Sequence, residues 1–213
     1  SNLSTMGLLC VNHEYVDQGL LFPDGMVTWT PDKVRKALAA HGVSVIEVRR
    51  HRISGRRYGW SVQRPSKFGR RITGVTPMDL IGPAAGSPLL QTADDPTGRR
   101  VLGTLNNCGS GRTLWGTFVT CEENFNGYFG WDGTYTATAA QARYGISAAG
   151  FGYRWHEHDP RFNVRLNPNE PNRFGWVVEI DPYNPKSVPK KLTALGRFKH
   201  KSAAVTESRD GLP

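Results

Sequence analysis

The chain has 213 residues, enough for one large domain or two small ones, and its 38% hydrophobic content allows a buried core. No run of about 18 apolar residues occurs, so the sequence predicts no membrane span. The net charge is +9, but the basic pairs are dispersed along the chain, whereas a nucleic-acid footprint should be clustered. We therefore expect no nucleic-acid partner, although a positive field would attract small phosphate-bearing molecules.

The composition favours an all-β fold. Glycine (24 residues) and proline (14 residues) are abundant, which is typical of many short strands joined by turns. The three cysteines are Cys10, Cys108 and Cys121, and no pair of them has CxxC spacing. At least one thiol must therefore stay free, which suits a reducing compartment or a thiol held by a metal.

The first strand, residues 7–14, is apolar until its end. Period-two alternation places Asn12 and Glu14 on one face, so the strand either delivers these side chains to a site or simply runs into a loop there. Thr30 and Pro31 then predict a helix start, and the helix ends at His41. We expect this single clear helix to decorate the surface.

Further strands are predicted at residues 43–48, 58–62 and just after residue 70, with a loop from Pro77 through the glycine-rich residues 82–86. The strand that begins at Trp115 stops abruptly at Cys-Glu-Glu-Asn, residues 121–124. A thiol, two carboxylates and an amide are metal-ligand types, and adjacent carboxylates repel unless solvent or a cation neutralises them. The alternative is a solvated turn beside a buried cysteine.

Residues 130–170 show no clear periodicity, which is long for a compact domain and suggests a functional insertion or a lid. Within this segment His156 and His158 have ligand-like spacing, but a solvated loop is the favoured interpretation because spacing alone is weak evidence. The next strand, residues 174–182, carries Glu179 among apolar residues, where an unpaired carboxylate would be costly. Another strand is predicted to begin near Leu195.

Several segments together resemble the PhoX-type alkaline phosphatases. They are, in order, Gly-Leu-Leu-Cys-Val-Asn-His-Glu-Tyr, Arg-Arg-Ile-Thr-Gly, Gly-Pro-Ala-Ala-Gly, Gly-Thr-Leu-Asn-Asn-Cys, Trp-Gly-Thr-Phe-Val-Thr-Cys-Glu-Glu-Asn-Phe, Asn-Glu-Pro-Asn-Arg-Phe-Gly-Trp-Val-Val-Glu-Ile-Asp-Pro and Gly-Arg-Phe-Lys-His. The resemblance runs from about residue 7 to about residue 205. It implies a β-propeller phosphomonoesterase with a cluster of Fe³⁺ and Ca²⁺, exported to the periplasm or secreted.

Carried over by position, the resemblance implies that Cys121 is the thiolate ligand of iron and that Glu179 is a metal-bridging carboxylate. Both side chains are expected to bind one shared cation. Glu14, Asn12 and Glu122 are the further expected metal ligands or neighbours. The resemblance names no catalytic group that would attack phosphorus. Small phosphate esters are the implied substrates.

Two departures from the family pattern bear on these expectations. Leu114 stands where the family usually has proline, and family chains are far longer than this one. We therefore expect residues 1–213 to be the N-terminal portion of one propeller domain, partial and with open sheet edges that would allow self-association. The alternative function is a non-catalytic propeller-type binding domain that keeps the fold without the metals.

Overall fold

The computed structural model describes residues 4–211. Among these residues the strands are β1 (Met6–His13), β2 (Gly42–Ser54), β3 (Arg57–Val62), β4 (Arg70–Ile72), β5 (Pro77–Ile81), β6 (Arg100–Leu102), β7 (Asn107–Arg112), β8 (Phe118–Glu122), β9 (Val177–Ile180) and β10 (Lys190–Leu192). The α-helices of the same residues are α1 (Gln18–Leu21), α2 (Pro31–Ala40) and α3 (Ala139–Arg143). The prediction of a mainly β chain is confirmed. No helix in the described part is long and apolar enough to cross a membrane.

The strands form two open sheets. In the first sheet β2 lies between β1 on one side and β3 and β4 on the other, and every pair is antiparallel. The second sheet has the order β6-β5-β10-β9-β8-β7, in which β5 and β10 are parallel and the other pairs antiparallel. Neither sheet closes on itself among the described residues, so the fold is mostly β-sheet with few helices and no closed ring of blades.

Strand β5 begins at Pro77, where the sequence predicted a loop, and that prediction is wrong. Met78 and Leu80 alternate with more exposed neighbours and are buried, as expected of a strand with one face in the core. Proline is tolerated at the first residue of a strand, where its missing N–H breaks no ladder hydrogen bond.

The strand predicted near Leu195 is also wrong. Thr193–Leu195 form one 3-10 turn, and the chain that follows runs irregularly beside β7. There the Gly109 N–H donates to the Lys201 carbonyl at 2.7 Å. A Cβ at Gly109 would overlap that carbonyl oxygen, so the close approach of the two backbones requires glycine.

The main core includes two segments that the sequence predicted to be peripheral. Helix α2 buries Val34, Ala37 and Leu38 along one stripe, so it is an amphipathic core helix and not a surface decoration. The irregular residues 130–170 contribute Trp155 and Phe162, both fully buried, to the same core. Large aromatic side chains anchor this segment, which is therefore part of the packed body and not a lid.

Candidate metal centre

Three strand ends bring together a thiol and two carboxylates. Glu14 directly follows β1, Cys108 is the second residue of β7, and Glu123 directly follows β8. One ligand atom from each of these residues lies within 4.8 Å of those of the other two, and all three residues are half-buried. Among residues 4–211 this is the one such group of His, Cys, Asp and Glu side chains that could hold a metal ion.

Asn12 holds β1 against the two strands that supply the other members of this cluster. Its Nδ2 donates to the Cys108 carbonyl at 2.8 Å, and its Oδ1 accepts from Thr120 Oγ1 at 3.0 Å. Both ends of the amide are therefore used in joining β1 to β7 and β8. Asn12, expected as a metal ligand or a neighbour of one, lies beside the cluster with its side-chain amide joining the strands.

A left-handed residue shapes the chain around Glu123. Asn106 has φ 52°, a conformation that asparagine tolerates better than most residues. Its carbonyl accepts from the Glu123 N–H at 3.1 Å, and its side-chain Oδ1 accepts from the Asn124 N–H at 2.6 Å. The carboxylate of Glu123 is thus carried on a backbone fixed by two hydrogen bonds.

An irregularity in β7 presents Cys108. The ladder between β7 and β8 pairs Asn107 with Glu122 and then Ser110 with Thr120, so the register shifts between these pairs. Bulges of this kind redirect side chains and are frequent beside functional sites. Residues 108–109 lie at this shift, where Cys108 meets the carboxylates.

The surroundings of Cys108 shift the pKa of its thiol in both directions. Burial raises the pKa of the Cys108 thiol, hydrogen bonding by Lys201 lowers that pKa, and the carboxylates of Glu123 and Glu14 raise it again. The thiol form is therefore favoured when only these groups are present. A bound cation would favour the thiolate, because metal binding deprotonates a coordinating thiol.

The structure does not bring Cys121 and Glu179 together. Cys121 is fully buried in a small apolar cluster with Val119 and Val177, and burial raises the pKa of its thiol to about 11. Cys121 pairs with Val177, whereas Glu179 pairs with Val119, so the two lie at different levels of the β8–β9 ladder. The Glu179 carboxylate accepts from Trp115 Nε1 at 2.7 Å and Thr117 Oγ1 at 2.6 Å.

Glu122 also has a different environment from the predicted one. Its Oε1 lies 2.7 Å from Lys191 Nζ, and its Oε2 accepts from the N–H groups of Gly175 and Trp176. Both Glu122 and Lys191 are fully buried. Both carboxylate oxygens already have partners in the protein interior, so Glu122 is not a member of the cluster.

Of the predicted ligands, Glu14 lies in the cluster and Asn12 joins the strands beside it. Glu123 was considered only as part of the Cys-Glu-Glu-Asn segment, and Cys108 was not predicted as a ligand. Spacing alone cannot choose among three cysteines that have no paired motif. The available signal was period-two alternation at the end of β8, which separates Glu122 from Glu123. The shift in β7 that presents Cys108 has no such local signal.

Comparisons with known proteins agree with this architecture. The family model described as "Alkaline phosphatase PhoX" matches residues 2–212. A solved structure, Pseudomonas fluorescens PhoX in complex with vanadate, a transition state analogue, is similar with 48% identity and a TM-score of 0.92. The match covers 98% of this chain and 35% of that chain, so the present chain spans about a third of that protein's length. No curated protein sequence matches the chain.

The family match extends over nearly the whole chain, and the structural match has both high identity and high similarity of fold. The family comprises metal-dependent phosphatases. This chain belongs to the PhoX alkaline phosphatase family.

Proposed function

We propose that this chain supplies part of the metal centre of a phosphomonoesterase, with Glu14, Cys108 and Glu123 as the ligands. The observation that carries the proposal is the approach of their three ligand atoms within 4.8 Å, from three separate strand ends. The donor set suits the implied metals, because a thiolate with carboxylates fits ferric iron and carboxylate oxygens fit calcium. In this assignment the thiolate role passes from Cys121 to Cys108.

Each residue of the cluster would have a distinct role in binding the metal. Glu14 and Glu123 would bind a cation, Cys108 would bind it as thiolate after losing its proton, and Asn12 would hold the Cys108 backbone in place. Bound metal would stabilise negative charge on phosphoryl oxygens in the transition state. The vanadate complex of the Pseudomonas fluorescens protein supports small phosphate esters as the substrate class.

The remaining features of the proposal come from the family resemblance. We place the two open sheets in a larger β-propeller, completed by chain that corresponds to the rest of the longer relative, and the protein in the periplasm or outside the cell. The open edge at β6 is where a further strand, or a second copy, would pair.

The competing function is a non-catalytic binding domain. It is favoured by one observation, the ammonium of Lys201 at 3.2 Å from Glu123 Oε2, since a positive charge in the cluster opposes a metal ion. Stoichiometric iron in the purified chain would exclude it.

Hydrolysis of p-nitrophenyl phosphate at alkaline pH, with iron and calcium supplied, tests the proposed function. Cys108→Ser should lower the rate by at least about 100-fold, because loss of a ligand should exceed the 10–100-fold cost of losing an outer partner. The matched control is Cys10→Ser, which changes a half-buried thiol in β1 and should stay within about threefold. Absence of hydrolysis together with absence of bound metal would support the binding domain instead.

A further inference from the structure

A lysine lies against the metal cluster. Lys201 Nζ is 3.2 Å from Glu123 Oε2, and the neighbouring Cys108 and Glu123 raise the pKa of the lysine. The Lys201 side chain is 71% exposed, whereas that of Glu123 is 20% exposed. The ammonium thus approaches from the solvent side and contacts one of the three proposed ligands, Glu123.

The backbone of Lys201 is fixed by the segment that presents Cys108. The Lys201 carbonyl accepts from the Gly109 N–H at 2.7 Å, and Ser202 Oγ donates to the Ser110 carbonyl at 3.3 Å. Glycine at 109 allows this contact, because a Cβ there would overlap the Lys201 carbonyl oxygen. The backbone position from which the Lys201 side chain reaches Glu123 is therefore set by the fold.

The charges show what this contact does to a metal ion. Glu14 and Glu123 carry two negative charges when ionised, and Lys201 offsets one of them. A cation that takes Glu123 Oε2 as a ligand must displace the ammonium or bind beside a like charge, and either choice weakens binding. Exposure of the lysine moderates this repulsion without removing it.

We propose that Lys201 is a built-in counter-ion of the metal centre, competing with the cation for Glu123 and so lowering the affinity of the site. The inference rests on the proposed function, because it assumes that the Glu14–Cys108–Glu123 cluster binds a cation. It assigns to this chain a residue that sets how much metal is needed to fill the site.

Calorimetric titration with Ca²⁺ at constant pH and ionic strength tests the inference on the intact chain. Lys201→Gln removes the charge and should bind Ca²⁺ about tenfold more tightly, which corresponds to about 1.4 kcal/mol. Lys201→Arg keeps the charge and should bind as weakly as the parent. Lys186→Gln removes an exposed charge away from the cluster and should change the affinity less than about twofold.

The outcomes separate the inference from the proposed metal centre. Calcium binding that appears only in Lys201→Gln would support the inference strongly. Equal or weaker affinity in Lys201→Gln, with binding lost in Glu123→Gln, would overturn the inference and leave the metal centre standing. Absence of Ca²⁺ binding in the parent and in Lys201→Gln alike would overturn both.

Discussion

Two consecutive glutamates at the end of β8 each face a lysine, yet the two pairs differ in almost every physical respect. Glu122 and Lys191 are fully buried, with 2.7 Å between Oε1 and Nζ. Glu123 and Lys201 are 20% and 71% exposed, with 3.2 Å between Oε2 and Nζ. Alternation along the strand sends the first glutamate to the interior and the second to the cluster with Glu14 and Cys108.

The two pairs also differ in how completely their polar atoms are satisfied. Lys191 Nζ donates to the Arg173 carbonyl at 2.9 Å and lies 3.8 Å from the centre of the Phe174 ring, while Glu122 accepts two backbone hydrogen bonds. Buried charges cost several kcal/mol unless every partner is present, and here the partners are present. The interior pair therefore stabilises the fold, whereas the carboxylate of the outer pair keeps lone pairs that can bind a ligand.

Breaking the interior pair should produce the largest effect. Lys191→Met leaves the buried Glu122 carboxylate without its opposite charge, so we expect a loss of about 3–5 kcal/mol in the free energy of unfolding. The measurement is the midpoint of denaturant unfolding followed by tryptophan fluorescence. The chain has six tryptophans to report it.

The matched change in the outer pair is the control. Glu123→Gln should alter the free energy of unfolding by less than about 1 kcal/mol, because exposed ion pairs contribute little. A loss in Glu123→Gln as large as that in Lys191→Met would show that both pairs hold the fold, and the distinction between them would fail.

A buried histidine, His41, shows what happens to an ionisable group whose partners are neutral. His41 is fully buried, with Nδ1 2.7 Å from the Ala37 carbonyl and Nε2 3.0 Å from the Tyr128 hydroxyl. Burial lowers the pKa of His41 from 6.5 to about 4. Its protonation therefore favours the unfolded chain, and stability is retained above pH 6.5 and declines as the pH falls towards 4.

Protonation of His41 should lower the free energy of unfolding by about 3 kcal/mol. The pKa values of the unfolded and folded states differ by about 2.5, and one pKa unit corresponds to about 1.4 kcal/mol. Titration of the His41 ring followed by NMR isolates this group from the carboxylates that also titrate in acid. A midpoint near 4 is expected. A midpoint near 6.5 would mean that the ring is solvated and that burial does not govern this region.

The sequence allowed prediction of the elements whose patterns are local. Thr30 and Pro31 marked the start of α2, and the apolar runs before Glu14 and Cys121 marked β1 and β8. Strands β5 and β10 are too short to show a clear alternation of apolar and polar residues. Their parallel pairing joins residues about 110 positions apart, and no local sequence signal predicts such a pairing.

The candidate site was partly predictable for the same reason. Glu14 could be found because it ends an apolar strand. Cys108 could not be preferred over Cys121, because the choice depends on the register shift in β7. Lys201 reaches the cluster only through tertiary packing of its segment on Gly109.

Cobalt(II) absorption spectroscopy tests the central claim that the Cys108 thiol, and not that of Cys121, binds metal. Co²⁺ bound through a thiolate gives a sulfur-to-metal charge-transfer band in the near ultraviolet. At saturating Co²⁺ the parent and Cys121→Ser should show this band, and Cys108→Ser should lack it. A band that survives in Cys108→Ser and disappears in Cys121→Ser would show that Cys121, and not Cys108, is the thiolate ligand.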